Sequence, residues 1–224
     1  MKTVVFFDID GTLLRSGGAG KLAMLTAVQQ AFQVNPAPVE VPFSGRTDRA
    51  ILRDLLRAHG IDFTPENFER VVDVYLRILP DCLQRMAGRV LPGVLDLLDA
   101  LERRDGVVIG LLTGNLRRGA QTKLGHFGLA ERFPFGGFGD QYFDRNDVAR
   151  EAVRAAQQYL NGSCAPDRIW VVGDTPLDIA CARHIGARVL AVATGTHSVE
   201  QLQAHRPDLL LQDLTQYELL LEHL

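Results

Sequence analysis

The stretch Val4-Val5-Phe6-Phe7-Asp8-Ile9-Asp10-Gly11-Thr12 is an apolar run that ends in two aspartates and a glycine. Its first four residues show no polar alternation, which is typical of a strand buried on both faces of a parallel sheet. Similar runs follow at Val107–Leu112, Ile169–Val172 and Val189–Val192, with weaker candidates at Phe133–Phe138 and Leu209–Leu211. Helical patterns separate these runs, so the sequence predicts a doubly wound α/β domain with a parallel sheet.

The first two strong runs lie unusually far apart. About ninety residues separate Thr12 from Val107, whereas a crossover between parallel strands needs only one helix. The gap contains three helical patterns, at Lys21–Phe32, Asp48–His59 and Pro65–Met86. We therefore expect an inserted α-helical cap subdomain over residues 16–87, and an α/β core domain formed by residues 1–15 and 88–224. The glycines at Gly17-Gly18 and Gly88 are candidate hinges.

Composition limits the possible classes of protein. The chain has 224 residues, which suits one medium α/β domain with a smaller insert. A net charge of −3 offers no electrostatic footprint for nucleic acid. No apolar run reaches the roughly 18 residues of a membrane span, and we expect no signal peptide. Three scattered cysteines indicate neither a disulfide framework nor a zinc site, so a cytoplasmic location is predicted.

Polar residues follow three of the predicted strands. Asp8 and Asp10 end the first, Thr113-Gly114-Asn115 ends the second, and Asp174 and Asp178 follow the third. Ligands of open α/β sheets bind at the carboxyl ends of the strands. Carboxylates gathered there could share Mg²⁺, which prefers oxygen ligands. The hydroxyl and backbone N–H groups of the second turn form a concavity suited to an anion.

Each of these residues also has a local explanation. Aspartate and glycine are common in turns. Thr113, Asn115 or Asp174 could cap the helix that follows it, and Asp178 could be an acid favoured by a helix dipole. Such explanations account for one residue at a time. They do not explain why three strands end in aspartate or threonine at one edge of the sheet.

The order and spacing of these motifs resemble the haloacid dehalogenase superfamily of phosphatases, and the resemblance spans the whole chain. Asp8-Ile9-Asp10-Gly11-Thr12 is similar to the first motif of the family, Thr113 to the second, and the stretch from Gly173-Asp174 through Asp178 to the fourth. The helical insert is similar to the cap of phosphoglycolate phosphatase-like and β-phosphoglucomutase-like members.

The third motif departs from the family pattern, because most members place a lysine at the start of the helix before the fourth motif. Arg145, next to the predicted helix start at Asn146-Asp147, is the best candidate here, although it could instead be an exposed loop arginine. Lys123 lies ten positions after Thr113. At about 1.5 Å per residue, we expect its helix to carry it away from the sheet edge. Arg150 is a weaker alternative, so the choice among these three residues stays open.

The resemblance implies roles for the candidate residues. Asp8 would be the nucleophile that forms an aspartyl-phosphate, and Asp10 would be the general acid and base. An aspartate at position 10 favours phosphoryl transfer, because dehalogenase members of the superfamily lack it. Phosphate would be bound by Thr113, Gly114, Asn115 and Arg145. Mg²⁺ would be held by Asp8, the Asp10 carbonyl and Asp174, with Asp178 orienting metal-bound water.

Ser44-Gly45-Arg46-Thr47-Asp48 is similar to a cap loop of related phosphatases. Arg46 could contact the anionic end of a substrate there. The same stretch could equally be a helix start, with Thr47 as the capping residue.

The resulting prediction is a Mg²⁺-dependent phosphatase of a small-molecule phosphate monoester. A phosphomutase of the β-phosphoglucomutase type is the alternative, and the cap would decide between them. A non-catalytic phospho-acceptor or binding protein is a third possibility, against which the helical insert and the paired aspartates both weigh. We expect a small phosphorylated metabolite as partner, no nucleic acid or membrane, and a monomer or homodimer.

Overall fold

A six-stranded sheet forms the centre of the molecule in the computed structural model, which describes residues 2–36 and 40–224. All pairings between its strands are parallel. Across the sheet the order is β5 (Gly136–Gly137), β4 (Val107–Leu112), β1 (Thr3–Phe7), β6 (Ile169–Gly173), β7 (Arg188–Val192) and β8 (Leu209–Leu211). The predicted doubly wound α/β fold is confirmed. The candidate strand at Phe133–Phe138 is reduced to its two glycines.

The register of the central strands brings their carboxyl ends to one edge. Phe7 of β1 lies beside Leu111 of β4 and beside Val172 of β6. The backbone N–H of Asp8 continues this pairing by donating to the carbonyl oxygen of Val172 at 3.0 Å. The polar residues that follow these three strands therefore emerge close together.

Helices cover both faces of the sheet, and alternate residues of β1 face opposite layers. Val5 and Phe7 pack in an apolar layer with α4 (Val94–Glu102), α5 (Arg117–His126) and α9 (Glu218–Leu221). Val4 and Phe6 face the layer formed with α6 (Arg145–Leu160), α7 (Pro176–His184) and α8 (Val199–Gln203). Burial on both sides explains the lack of polar alternation in β1. Each fully buried large apolar side chain contributes about 1.5–3 kcal/mol to this core.

The insert between β1 and β4 consists of three helices, α1 (Ala19–Phe32), α2 (Asp48–Ala58) and α3 (Pro65–Arg85), which surround an apolar cluster of their own. A short antiparallel ribbon of β2 (Leu14–Arg15) and β3 (Arg89–Val90) lies where the chain leaves and re-enters the sheet domain. Thr47 caps α2 by accepting a hydrogen bond from the N–H of Ala50. The capping role considered for Thr47 is therefore confirmed. The domain limits at residues 16 and 87 stay a prediction.

The helices were compared with the length and apolar character that a membrane span requires. Among residues 2–36 and 40–224, no helix is both long and apolar enough to cross a membrane.

Candidate active site

Three buried carboxylates meet at the carboxyl edge of the sheet. Asp8, Asp174 and Asp178 each offer an oxygen, and these oxygens lie within 4.8 Å of one another. Asp174 also accepts a hydrogen bond from the Thr12 hydroxyl at 3.0 Å. Together with Arg145, these three aspartates are called the deep cluster below.

Arg145 is the cation of the deep cluster. It begins α6, whose first turn is capped by the Asp144 side chain. The Nη2 atom of Arg145 lies 2.5 Å from Oδ1 of Asp178 and 3.0 Å from Oδ1 of Asp8, and its side chain is only 4% exposed. Its Nη1 atom donates to the carbonyl oxygen of Gly45 at 3.2 Å, across to the insert. The alternative interpretation of Arg145 as an exposed loop arginine is therefore wrong.

Asp178 holds Arg145 in place. Its Oδ2 accepts hydrogen bonds from the backbone N–H and the hydroxyl of Thr175, which completes a capping box at the start of α7. Its Oδ1 faces Arg145. The suggested first-turn position of Asp178 is therefore confirmed. Asp174 does not cap α7, because Thr175 occupies that position.

The deep cluster is short of positive charge. Burial raises the pKa of Asp8 to about 6; Arg145 counteracts this shift, whereas Asp178 and Asp10 add to it. Burial, followed by the charges of Asp178 and Asp8, also holds the pKa of Asp174 well above its ordinary value. Three carboxylates around one guanidinium favour the arrival of another cation.

Asp8 and Asp174 fit a divalent metal ion. Oδ1 of Asp8 is buried and accepts no hydrogen bond from the part of the chain that the structure describes. This oxygen lies 3.0 Å from Nη2 of Arg145 without hydrogen-bond geometry, so it keeps a lone pair suited to Mg²⁺, which takes oxygen ligands and keeps several waters. Asp178 fits less well, since both of its oxygens already accept hydrogen bonds.

Asp10 belongs to a second network, in which the structure contradicts one sequence-based expectation. Nζ of Lys123 lies 2.5 Å from Oδ2 of Asp10 and 2.6 Å from Oδ1 of Asn115. The expectation that α5 carries Lys123 away from the sheet edge is therefore wrong. These three residues, Asp10, Asn115 and Lys123, are called the boundary cluster below, because they lie next to the helical insert.

Lys123 reaches the sheet edge because of the position and tilt of its side chain on α5. The helix α5 begins only at Arg117, so Lys123 is six residues into it, a rise of about 9 Å. Side chains on a helix are tilted toward its N-terminus, and the long lysine side chain uses that tilt to return to the sheet edge. Counting along the helix axis alone therefore disfavours Lys123, although the sequence leaves it among the three candidates.

Burial and hydrogen bonding have opposite effects on Asp10. Burial raises the pKa of its carboxyl, but the charge of Lys123 and hydrogen bonds from Lys123, Asn115 and Ser16 outweigh it, so the pKa is lowered. Asp10 is consequently ionised at neutral pH.

Asn115 organises the turn after β4 and does not cap α5. Its Nδ2 donates to Oδ2 of Asp10 at 3.0 Å and to the hydroxyl oxygen of Thr113 at 2.9 Å. The free N–H groups at the start of α5 are bound instead by distant carboxylates. Asp48 accepts from the N–H of Leu116 at 2.8 Å, and Asp140 accepts from that of Arg117 at 2.9 Å. No local pattern reveals these distant caps.

Arg150 lies outside the site. Its guanidinium contacts the side chains of Asp147 and His184, and nearly half of its side chain is exposed. The weaker alternative for the third motif is therefore wrong.

The insert contacts the site through the loop before α2. The N–H of Asp48 donates to the carbonyl oxygen of Gly114 at 2.7 Å. Gly114 approaches this loop so closely that a Cβ atom there would lie 2.1 Å from the carbonyl oxygen of Arg46. Nη2 of Arg46 lies 2.5 Å from Oδ2 of Asp54, so its charge is already paired. Arg46 as a substrate contact stays a prediction.

A cavity of about 540 Å³ lies between the sheet edge and the insert. Asp8, Asp10, Asn115, Lys123, Arg145 and Asp174 line its core side. Lys21, Met24, Phe43, Arg46 and Ile51 line the side formed by the insert. A carboxylate-rich end and an end that carries both cations and apolar side chains thus face the same space, which is large enough for a small metabolite.

The fold and the strand-end carboxylates define a doubly wound α/β protein with an inserted helical subdomain and an acidic site at the carboxyl edge of its sheet. The sequence model of the haloacid dehalogenase-like hydrolase family matches residues 5–183, and the chain belongs to this family. A phosphoglycolate phosphatase from Synechococcus elongatus is 28% identical over 210 residues, covering 93% of this chain and 92% of that protein. A second phosphoglycolate phosphatase, from Rhodospirillum rubrum, is 30% identical over 203 residues, covering 87% of this chain and 81% of that protein.

Solved structures agree with this fold. A β-phosphoglucomutase from Clostridium difficile superposes with a TM-score of 0.74 at 15% identity, covering all of this chain and 97% of the other. CbbY from Rhodobacter sphaeroides, in complex with phosphate, superposes with a TM-score of 0.73 at 18% identity, covering 96% of this chain and 95% of the other. The chain is thus a haloacid dehalogenase-like hydrolase with sequence relatives named as phosphoglycolate phosphatases, and it shares its fold with a β-phosphoglucomutase.

Proposed function

We propose that this enzyme is a Mg²⁺-dependent phosphatase that hydrolyses a small-molecule phosphate monoester through an aspartyl-phosphate on Asp8. The observation that carries the proposal is the environment of Asp8. Its carboxylate is buried, faces the cavity, lies beside Arg145 and Asp174, and keeps one oxygen without a hydrogen bond from the described residues. A nucleophile of this kind needs a fixed orientation and a free lone pair.

The first half of the reaction transfers the phosphoryl group to the protein. An oxygen of Asp8 attacks phosphorus, forming a new O–P bond as the bond to the leaving oxygen breaks. Arg145, 3.0 Å from Asp8, orients the nucleophile and offsets negative charge on the phosphoryl oxygens. Asp10 takes up a proton from solvent as the anionic substrate binds, donates it to the leaving oxygen, and releases the proton it later regains when phosphate leaves. The negative charge of bound phosphate raises the pKa of Asp10, which favours the protonated form that this step requires.

The second half regenerates the enzyme. Asp10 accepts a proton from water as the water oxygen attacks phosphorus, and the O–P bond to Asp8 breaks. Inorganic phosphate leaves, and Asp8 returns to its carboxylate form. The pairing of Asp10 with Lys123 suits it to this role, because it keeps Asp10 ionised in the free enzyme.

Asp8 and Asp174, with the backbone carbonyl of Asp10, are the groups we propose to hold Mg²⁺. When bound, the ion supplies positive charge that reduces repulsion between the anionic nucleophile and the anionic substrate. Thr113, Gly114 and Asn115 are proposed to bind phosphoryl oxygens with Arg145, through the turn that follows β4. Asp178 is proposed to hold Arg145, and its orientation of metal-bound water stays a prediction.

The substrate class follows from the relatives and the cavity. Two phosphatases named for phosphoglycolate cover most of this chain, which makes 2-phosphoglycolate the first substrate to test. Lys21 offers a cation on the insert side of the cavity for an anionic leaving group. Fold similarity to β-phosphoglucomutase keeps a phosphomutase as the second candidate.

The test measures inorganic phosphate released from p-nitrophenyl phosphate and 2-phosphoglycolate, with and without Mg²⁺. We expect Mg²⁺-dependent release by the native chain and none above background by Asp8→Asn, which is nearly isosteric but a very poor nucleophile. Arg150→Gln is the matched control and should retain native activity. Full activity of Asp8→Asn would refute the mechanism. Interconversion of sugar phosphates without phosphate release would favour the phosphomutase.

A further inference from the structure

The two catalytic aspartates have separate buried cations. Arg145 contacts Asp8 and Asp178, whereas Lys123 contacts Asp10 and Asn115. Arg145 already serves the carboxylates of the deep cluster, so the second buried cation, on Asp10, requires its own explanation. Burying an ammonium group is costly unless it is paired, and Lys123 is only 3% exposed.

Lys123 and Asn115 hold one oxygen of Asp10 from two directions. Nζ of Lys123 and Nδ2 of Asn115 approach Oδ2 of Asp10 at 2.5 and 3.0 Å. Asn115 is itself oriented, because its Oδ1 accepts from Lys123 and its Nδ2 also donates to Thr113. The three side chains form a closed triangle. The remaining oxygen of Asp10, Oδ1, is 3.3 Å from the Ser16 hydroxyl, near the cavity.

The insert closes over this triangle. Gly20 of α1 lies against Lys123, and a Cβ atom at that position would be only 3.1 Å from Nζ. The absence of a side chain at Gly20 thus leaves room for the ammonium group. Contact with α1 also excludes water from Nζ, which strengthens its interaction with Asp10.

We propose that Lys123 is a positioning residue that, together with Asn115, holds the Asp10 carboxyl group in the orientation from which it protonates the leaving oxygen. This inference rests on the phosphatase function proposed above. Lys123 acts through Asp10 and does not itself touch the reacting atoms. The triangle holds Oδ2 of Asp10, and Oδ1, which accepts a hydrogen bond from the Ser16 hydroxyl beside the cavity, is the oxygen we propose to face the substrate.

The leaving group of the substrate distinguishes this role from others. An alkyl phosphate releases an alkoxide that needs a proton, whereas p-nitrophenolate is a stable anion and leaves without one. Loss of Asp10 orientation should therefore slow alkyl phosphates selectively. Substitution of a residue that binds phosphate, or of one that only maintains the fold, should slow hydrolysis of both substrates alike.

The experiment compares kcat and KM of native protein, Lys123→Met, Asp10→Asn and the double variant on p-nitrophenyl phosphate and on 2-phosphoglycolate or another alkyl phosphate that the native chain hydrolyses. For Lys123→Met we expect kcat to fall about 100-fold on the alkyl phosphate, within the range of general acid catalysis, and less than about fivefold on the aryl phosphate. The double variant should lose no more alkyl activity than Asp10→Asn alone. Arg150→Met, which removes an exposed cation, should match the native chain.

Equal losses on both substrates, or losses that multiply in the double variant, would overturn the positioning role while leaving the phosphatase function intact. An inactive native chain would instead refute the proposed function. Circular dichroism checks that Lys123→Met is folded. If Lys123→Met is not folded, Lys123→Arg provides the test, because it keeps the positive charge but moves the hydrogen-bond donors relative to Asp10. It should show the same selective loss on the alkyl phosphate, and an equal loss on both substrates would again overturn the proposal.

Discussion

The deep cluster and the boundary cluster differ in how their carboxylates acquire a cation. In the deep cluster, Arg145 begins α6 at the sheet edge itself and serves both Asp8 and Asp178. In the boundary cluster, Lys123 extends back from the second turn of α5 to Asp10. The deep cluster remains short of positive charge, whereas the boundary cluster is balanced by one pair. This difference is the basis on which we propose metal binding at the first and proton transfer at the second.

The largest expected effect separates bond formation from proton transfer. Asp8→Asn should lower kcat by on the order of 10⁴-fold or more on both aryl and alkyl phosphates, because no O–P bond to the protein can form. For Asp10→Asn we expect kcat on the alkyl phosphate to fall at least tenfold more than kcat on the aryl phosphate. Stopped-flow assays of phosphate and p-nitrophenolate release measure both. If the two variants show the same substrate dependence, the division between the clusters does not hold.

The next effect concerns stability. Arg145→Met leaves buried carboxylates without their cation, which should lower the free energy of unfolding by about 3–5 kcal/mol. Lys123→Met should cost less, because the Asp10 side chain is 36% exposed and water can replace the lost partner. Urea denaturation of both variants gives the comparison. Arg150→Met serves as the control, since exposed ion pairs contribute about 0–1 kcal/mol. A larger loss for Lys123→Met than for Arg145→Met would contradict this ranking.

Metal addition tests the charge deficit of the deep cluster. Mg²⁺ at about 100 times its dissociation constant should stabilise the native chain by about 2.7 kcal/mol, seen as a rise in Tm. Asp174→Asn should lose most of this rise, and Lys123→Met should keep it. An unchanged rise in Asp174→Asn would remove Asp174 from the proposed metal site.

The smallest effect concerns Asp48, which links the insert to the start of α5. Burial raises its pKa to about 7, although Lys123 and the N–H of Leu116 counteract the shift. The folded state therefore keeps a proton that the unfolded state loses near pH 4, so the free energy of unfolding falls as pH rises between these values. Above pH 7 this loss is complete.

Asp48→Asn should remove that fall, because asparagine does not titrate. We expect the difference in Tm between pH 6 and pH 7 to narrow by about 2–4 °C, which corresponds to about 1 kcal/mol for a chain of this size. Differential scanning calorimetry at the two pH values measures it. An unchanged difference would show that Asp48 is ionised throughout this range.

Much of the architecture was predictable from local pattern. Fully apolar runs identified the buried strands, and the excess of helices between β1 and β4 indicated the insert. Asp8, Thr113 and Asp174 were predicted to lie together because they directly follow neighbouring parallel strands. Arg145 was found by the same rule, since its helix begins at that edge. The two-residue strand β5 was harder to predict, because glycines carry little strand signal.

Lys123 and Asp48 were not predictable in the same way. Their positions depend on the tilt and reach of side chains and on where a distant loop docks, and neither is encoded in the spacing of nearby residues. Asn115 shows the same limit, since a good capping residue was instead drawn into contact with Asp10. Arg46, by contrast, was identified as a cap-loop residue, but only the folded insert revealed its ion pair with Asp54.

Local pattern is enough to predict the parallel α/β fold, the helical insert and the edge at which Asp8, Asp10 and Asp174 gather, because strand periodicity and strand ends are local properties. The pairing of each cation with its carboxylate becomes visible only in the folded chain. Such pairing is set by three-dimensional distance and burial between elements that are far apart in the chain. Asp10 and Lys123 are separated by 113 positions, yet their charged atoms lie 2.5 Å apart.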